Sequence, residues 1–191
     1  MMKKSLLLLA ALVLGGCATH WPESALLNPQ VIPSNQQYYS GNRITMEGVD
    51  KREAAYVFSI KKKEKAPVLV NSSQPLNSLL AEKLAEGLRS QGLEVGNSGT
   101  TNLTLAISTA AVTVEEKTFT YVTKSRVSLQ VIADFQGSKL TKQFNMSSSK
   151  EGPGEPSMAD LESTLNQQLG SVLQQIMADE ALRGYLKGQP S

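Results

Sequence analysis

The side chains that could carry catalysis are few, and they lack the partners that catalysis would need. The chain has 191 residues with one cysteine and one histidine, which excludes a disulfide framework and makes a multi-histidine or cysteine-rich metal site untenable. Ser157 and the run Ser147-Ser148-Ser149 have no histidine base in the predicted domain, and Lys150 is the one alternative base beside them. Glu115-Glu116 is more typical of a solvated turn than of the spaced carboxylates that hydrolyse glycosides. We therefore predict a protein that is not an enzyme and has no metal or cofactor.

The first sixteen residues have the layout of a signal peptide. Lys3 and Lys4 precede an apolar run at 6–14. As a helix this run would be about 14 Å long, whereas a membrane span needs about 20 residues. The segment is therefore predicted to be a cleaved leader, not a permanent anchor.

The leader ends in Leu14-Gly15-Gly16-Cys17, which resembles the lipobox of bacterial lipoproteins. The resemblance implies that signal peptidase recognises Leu14, Gly15 and Gly16 and cleaves before Cys17. Diacylglycerol would then be attached to the thiol, and a further acyl chain such as palmitate to the new amine. The alternative is an ordinary secretory leader with an incidental cysteine, but no Ala-x-Ala site is present there. Ala18 in place of Asp favours, by analogy with enterobacterial sorting, the outer membrane on its periplasmic side over the inner membrane or the cell surface.

Charge and composition limit the classes of partner. The chain has 19 Lys and Arg against 17 Asp and Glu, and loss of Lys3 and Lys4 with the leader makes the two totals equal. A neutral protein lacks the positive field that general nucleic-acid binding requires. A hydrophobic fraction of 40% is too high for a wholly disordered chain.

Residues 17–42 are predicted to be the lipidated cysteine and a flexible tether. They contain three prolines and many Asn, Gln and Ser residues, and they show no sustained hydrophobic period. A flexible chain of this length averages roughly 25–30 Å from end to end. Trp21 is predicted to lie at the membrane interface, where amphipathic rings are favoured.

Residues 43–187 are predicted to form one periplasmic domain, with a tail at 188–191. Segments 43–49, 55–60 and 68–70 are predicted strands, with a turn between the first two. Alternating apolar residues at 103–107 and 127–135 predict longer strands buried on one face. A turn at Gly137-Ser138 would bring apolar residues together: Phe135 with Leu140, Val131 with Phe144, and Leu129 with Met146. A second hairpin is predicted to turn at 115–117, opposing Leu105 to Val127 and Leu103 to Leu129.

Leucine stripes predict two long helices. The first follows a cap at Ser72 or Ser73 and ends at Gly92, and the second begins at Ser157, with Asp160 completing a capping box. A short helix is predicted at 180–186. The predicted fold is thus α+β, a two-layer sandwich in which two amphipathic helices cover one face of a mainly antiparallel, meander-like sheet.

Six segments, in their order and spacing, match one known family. They are the lipobox at Cys17, Gly48-Val49-Asp50-Lys51-Arg52, Gln91-Gly92-Leu93-Glu94-Val95, Asn102-Leu103, residues 136–142, and Gly184-Tyr185-Leu186-Lys187. With these segments the chain resembles the YajG-type lipoproteins of proteobacteria, a family with little assigned function. The resemblance implies a lipid-anchored envelope protein with one compact domain, and it supplies no catalytic residues.

Two candidate interaction surfaces remain. The first is an apolar patch at the tip of the second hairpin, which would bind an envelope protein unless its residues pack under segment 43–60 or a helix: Val112, Val114, Phe119 and Tyr121. The second is the basic run Lys61, Lys62 and Lys63, which would contact an anionic ligand unless it is a solvated loop that discourages edge pairing. The leading hypothesis is a non-enzymatic interaction module for an envelope protein complex. The alternative is a binding module for a small envelope ligand such as a glycan, muropeptide or lipid.

Overall fold

The computed structural model describes residues 21–63 and 65–188. Cys17 and the predicted recognition residues Leu14, Gly15 and Gly16 lie outside these ranges. The described residues form eight strands and three helices: β1 Ser24–Ala25, β2 Arg43–Asp50, β3 Tyr56–Lys61, β4 Val68–Ser72, α1 Leu76–Ser90, β5 Glu94–Gly96, β6 Thr101–Glu116, β7 Thr120–Phe135, β8 Ser138–Pro153, α2 Met158–Ala178 and α3 Glu180–Leu186.

The described strands form one mixed sheet organised around β6. β7 pairs antiparallel with β6 along its length, and β8 pairs antiparallel with β7. On the other edge of β6, β2 pairs with the first half and β3 with the second half, and both are parallel to it. The α+β class is confirmed, whereas the mainly antiparallel meander is wrong. Alternation along a strand reports which face is buried, but it does not report which strands are neighbours or their direction.

β2 and β3 run in the same direction, one after the other along β6. The segment between them, predicted as a turn, therefore leaves the sheet edge and rejoins it without reversing the chain. Arg52 holds this detour in place, because its guanidinium bonds both oxygens of Asp50 at 2.8–2.9 Å and the Tyr56 carbonyl at 3.2 Å.

The predicted helices are present, and their leucine stripes are buried. The capping box of α2 is confirmed: the Asp160 N–H donates to Ser157 Oγ, and the Ser157 N–H donates to the Asp160 carboxylate. The predicted serine cap of α1 is wrong, because Pro75 occupies the cap position and no side chain caps the helix. α1, α2 and α3 all pack against the sheet, so its helical cover has three members instead of the two predicted.

The pairing of β7 with β8 is shifted by two residues from the predicted pairing. Phe135 lies opposite Ser138, and the two turn residues are Gln136 (φ 51°) and Gly137 (φ 88°). Positive φ at both positions is the requirement of a two-residue hairpin turn whose twist matches the strands. The predicted oppositions are wrong, but every side chain keeps its predicted face because the pairing moved by an even number. The observed oppositions include Ala133 with Leu140, Leu129 with Phe144, and Val127 with Met146.

The β6–β7 hairpin also differs from the predicted register. Glu116 lies opposite Tyr121 and the connection is residues 117–119, later in the chain than the predicted 115–117; a register shift also occurs between Ile107 and Thr109. Leu105 consequently faces Val131 instead of Val127. This displacement comes from the later position of the turn, and the bulge changes the pairing by one residue. A simple alternation reveals neither.

Residues 21–34, here named the strap, run in extended form between α1 and α2. Two strap residues advance as far as four residues of α2, because an extended chain rises about 3.3 Å per residue and a helix 1.5 Å. Three hydrogen bonds follow this spacing: the Leu26 N–H to Glu162 (2.9 Å), the Asn28 N–H to Asn166 (2.8 Å), and Gln174 to the Ile32 carbonyl (3.0 Å).

The prediction of a flexible tether is therefore wrong for residues 21–42. Ala25, Leu27 and Tyr39 are buried in the main core, and β1 extends the sheet beside β4. The prediction that Trp21 lies at the membrane interface is also wrong, because the residue packs in the core and only 8% of its surface is exposed. The buried strap residues occupy odd positions. Successive side chains of an extended chain point to opposite sides, so the odd positions together can cover an apolar groove.

Candidate functional site

The tip of the β6–β7 hairpin presents one large apolar side chain to solvent. The Lys117 N–H donates to the Thr120 carbonyl at 2.8 Å, and the Gly154 N–H donates to the Phe119 carbonyl at 3.0 Å. These bonds fix the backbone of the tip on both sides. Phe119 is nonetheless 84% exposed, the highest value among the exposed large apolar residues of the described chain.

The remaining members of the predicted apolar patch do not join Phe119 at the surface. Val112 and Val114 are fully buried, opposite Phe58 and Ile60 of β3, so they belong to the core. Tyr121 is half-buried, and its ring packs over Gly152, where an added Cβ would approach it to 2.7 Å. The four-residue patch is therefore wrong as a surface. For Val112 and Val114 the alternative, packing against segment 43–60, is confirmed, and Phe119 is the exposed member of the predicted patch.

The basic run lies beside this tip. Lys61 is the last residue of β3 and pairs in register with Glu115, near the end of β6. Lys63 Nζ lies 3.3 Å from Thr118 Oγ1, at the tip itself. The structure thus brings together two candidate surfaces that the sequence presented as separate.

The three predicted lysines are not equivalent. Lys62 is engaged in ion pairs, with its Nζ 3.2 Å from Glu116 and 3.9 Å from Glu155. Lys61, Lys63 and Lys65 are exposed, and within the described residues none of them forms an ion pair. The ammonium groups available to an external anion at the tip are therefore those of Lys61, Lys63 and Lys65.

Of the residues considered for catalysis, Ser148, Ser157, Glu115 and Glu116 have structural partners. Ser148 Oγ lies 2.7 Å from Ser125 Oγ, and the buried Gln168 of α2 donates to Ser148 at 2.9 Å. Ser157 caps α2, and its hydrogen bonds hold the pKa of the Asp160 carboxyl below its usual value. Glu115 pairs with Lys124 at 3.3 Å, away from the Lys62 contact of Glu116.

A cavity of about 380 Å³ opens where β2 and β3 separate along β6, and it contains Arg52. The Arg52 guanidinium does not offer a free charge there, because Asp50 binds it through both oxygens. These hydrogen bonds lower the pKa of the Asp50 carboxyl, although partial burial opposes the shift. Within the described residues, no group of three or more His, Cys, Asp or Glu side chains is placed to hold a metal ion.

β8 leaves a long edge of the sheet uncovered, which the sequence analysis did not identify as a site. Among the described strands β8 pairs with β7 alone, and all seven side chains from Gln143 to Ser149 are uncharged. Natural edge strands usually carry charges or prolines that discourage pairing with another chain. Lys139 and Lys142 precede this stretch, and they form ion pairs with Asp134 and Asp179.

A family model described as an uncharacterized lipoprotein matches residues 29–187. The chain belongs to this lipoprotein family. The resemblance to YajG-type lipoproteins is confirmed, because the chain is 26% identical over 190 residues to the uncharacterized lipoprotein YajG of Escherichia coli strain K12, covering 98% of both chains. The YajG protein of Escherichia coli O6:H1 matches to the same extent.

The crystal structure of protein XCC0632 from Xanthomonas campestris has a similar fold. The TM-score is 0.63, with 86% of this lipoprotein and 97% of that chain covered at 10% sequence identity. Identity this low supports the fold and nothing about function. In the described part of the lipoprotein, none of the helices is long and apolar enough to cross a membrane.

Proposed function

We propose that this lipoprotein is a non-enzymatic interaction module, held by acylated Cys17 on the periplasmic side of the outer membrane, that binds an envelope protein along β8. The uncharged, unpaired edge from Gln143 to Ser149 is the observation that carries this proposal. An incoming strand would bond to the free backbone groups of this edge, as in other cases of strand addition.

The packing behind β8 favours this edge over the hairpin tip as the protein-binding surface. Gln168 of α2 bonds Ser125 and Ser148 across β7 and β8, so the stretch is fixed from its inner side. Asn145 and Ser147 on the opposite side are exposed. A partner strand would therefore meet a rigid edge, and rigidity lowers the entropy cost of binding.

The test is crosslinking in living cells, using the full lipidated chain with a photoreactive residue at Asn145. We expect one dominant protein adduct. The double substitution Ser147→Lys and Ser149→Lys should reduce its yield at least tenfold, since an isolated charge discourages pairing with a strand edge. The matched control is Ser98→Lys with Ser163→Lys, which adds the same charge at exposed positions of β5–β6 and α2.

The outcomes separate the hypotheses. Equal loss in both double variants, or unchanged yield in both, would contradict binding along β8. An adduct with twice the mass of the chain would indicate pairing between copies instead of with another protein. Glycan or lipid adducts without a protein adduct would support the small-ligand alternative.

A further inference from the structure

The strap and β1 indicate at which end of the molecule the lipid anchor lies. β1 runs parallel to β4, with Ser24 opposite Asn71, so the residues before Ser24 lie toward the beginning of β4 at Val68. Val68 is opposite Ile60, immediately before the basic run. The chain therefore enters the fold beside the start of the basic run at Lys61.

The register of the strap against α2 gives the same direction independently. Leu26 bonds Glu162 and Ile32 bonds Gln174, so earlier strap residues approach the beginning of α2. α2 follows β8 closely, and the end of β8 lies opposite Thr120 at the hairpin tip. Two separate sets of contacts thus direct the N-terminal part of the chain toward the end that carries Phe119.

The anchor is close to this end because the linking chain is short. Cys17 precedes the buried Trp21 by four residues, and four residues span at most about 14 Å. An acyl chain on Cys17 would therefore hold this end near the headgroups, whereas a 25-residue flexible tether would let the domain turn freely.

Several side chains at this end are of the types that favour a bilayer surface, whereas the acidic Glu116, Glu151 and Glu155 there are ion-paired with Lys62 and Lys117. Phe119 is 84% exposed on a hydrogen-bonded tip. The exposed residues Lys61, Lys63 and Lys65 lie beside it, at the end of β3 and in the segment that follows. Aromatic rings favour the membrane interface, and lysines near a membrane are attracted to anionic headgroups.

We propose that the end formed by the Lys117–Thr120 tip together with Lys61, Lys63 and Lys65 is a second membrane contact, in which Phe119 enters the headgroup region and the lysines contact anionic phospholipid. This inference rests on the proposed anchor at Cys17, but it is independent of a protein partner at β8. It assigns the β7–β8 turn to the opposite end, away from the bilayer.

The experiment uses the purified lipidated chain in vesicles of equal parts phosphatidylcholine and phosphatidylglycerol. Acylation occupies Cys17, so Thr118→Cys supplies the one thiol for an environment-sensitive nitrobenzoxadiazole label at the tip. Lys139→Cys supplies the matched label beside the β7–β8 turn. We expect a blue shift and quenching by nitroxide-bearing lipids at position 118, and neither effect at position 139.

Two further variants test the chemistry in the Thr118→Cys background. Phe119→Ser should abolish most of the quenching, as should the triple change of Lys61, Lys63 and Lys65 to Gln. The control changes Lys51, Lys139 and Lys187 to Gln, which removes the same charge elsewhere and should leave the signal intact. Phosphatidylcholine vesicles should weaken the signal in the parent protein and not in the tip-lysine variant.

Equal signals at positions 118 and 139, or a signal indifferent to Phe119 and the tip lysines, would overturn the membrane contact. An unacylated Cys17 in the mass spectrum of the purified protein would overturn both this inference and the anchor. Because the vesicles contain no other protein, failure here would leave the β8 crosslinking result unaffected.

Discussion

Tyr39, just after the strap, gives the native state a pH dependence that a free tether would lack. The side chain is 4% exposed, and burial raises the pKa of its hydroxyl from 10.0 to about 12, although the nearby Arg183 opposes part of the shift. Between these values the unfolded chain releases the proton while the native state retains it. The free energy of unfolding should therefore fall as pH rises through this interval, and be unaffected below it.

We expect ionisation of Tyr39 to lower the free energy of unfolding by on the order of 2–3 kcal/mol when the pH reaches about 12. Denaturant unfolding at a series of pH values measures the change, and Tyr39→Phe is the control because it removes the ionising hydroxyl. The variant should lose less stability than the parent as pH rises from 10 to 12. Identical profiles for both proteins would show that Tyr39 ionises normally and that the segment is not docked in solution.

The candidate residues could be found in the sequence, but their grouping could not. Phe119 and Lys61–Lys63 stand out by type, and the structure places them at one end. Their proximity comes from the parallel pairing of β3 with the far half of β6. That pairing joins segments about fifty residues apart, and no local period encodes it.

At the scale of the elements, docking of the strap on α2 requires a close approach between the backbones at Gln30 and Gly170. A Cβ added at Gly170 would lie 2.5 Å from the Gln30 carbonyl oxygen, whereas one added at Gly184 in α3 would meet nothing within 4 Å. Gly to Ala within a helix ordinarily stabilises by about 0.5–1 kcal/mol. The two positions should therefore respond with opposite signs.

We expect Gly184→Ala to stabilise the protein and Gly170→Ala to lower the free energy of unfolding and release the strap. Hydrogen exchange and limited proteolysis within residues 21–34 measure the release, and denaturant unfolding measures the stability. If both variants were stabilised equally and the strap stayed protected, the strap would not lie against α2 in solution.

Helix patterns were informative in this chain because their signals are local. Each leucine stripe lies within a single helix, and the Ser157–Asp160 box lies in the first turn of α2. These local patterns were enough to predict α1 and α2. Strand registers were less accessible, since alternation has a period of two and a shift of two residues leaves every face unchanged. The strap had an odd-position pattern as well, but Pro22, Pro29 and Pro33 made it resemble a linker.

At the scale of the whole molecule, the short link to the proposed anchor at Cys17 would set the orientation of the domain. β7 has 16 residues, so it separates the hairpin tip from the β7–β8 turn by about 50 Å. If the tip is held near the bilayer as proposed, the β8 edge extends away from the membrane. The Gln143–Ser149 stretch would then be reachable by an envelope protein that does not itself touch the lipid.

This geometry predicts that lengthening the link should uncouple the domain from the bilayer. Insertion of about 20 Gly and Ser residues directly after Cys17 adds a flexible segment averaging about 25 Å. Energy transfer from labels at position 118 or 139 to an acceptor lipid reports the two heights. In the parent protein we expect transfer to be much greater from position 118, and after the insertion the two values should converge.

The control places the same insertion after Lys187, where it lengthens the tail without changing the link to the lipid. This variant should keep the difference between the two labels, and both variants should unfold at the same denaturant concentration as the parent. A difference that survived the N-terminal insertion would mean that the tip contact alone fixes the orientation. In that case Phe119→Ser in the lengthened chain should abolish the difference, because neither the short link nor the aromatic contact would remain.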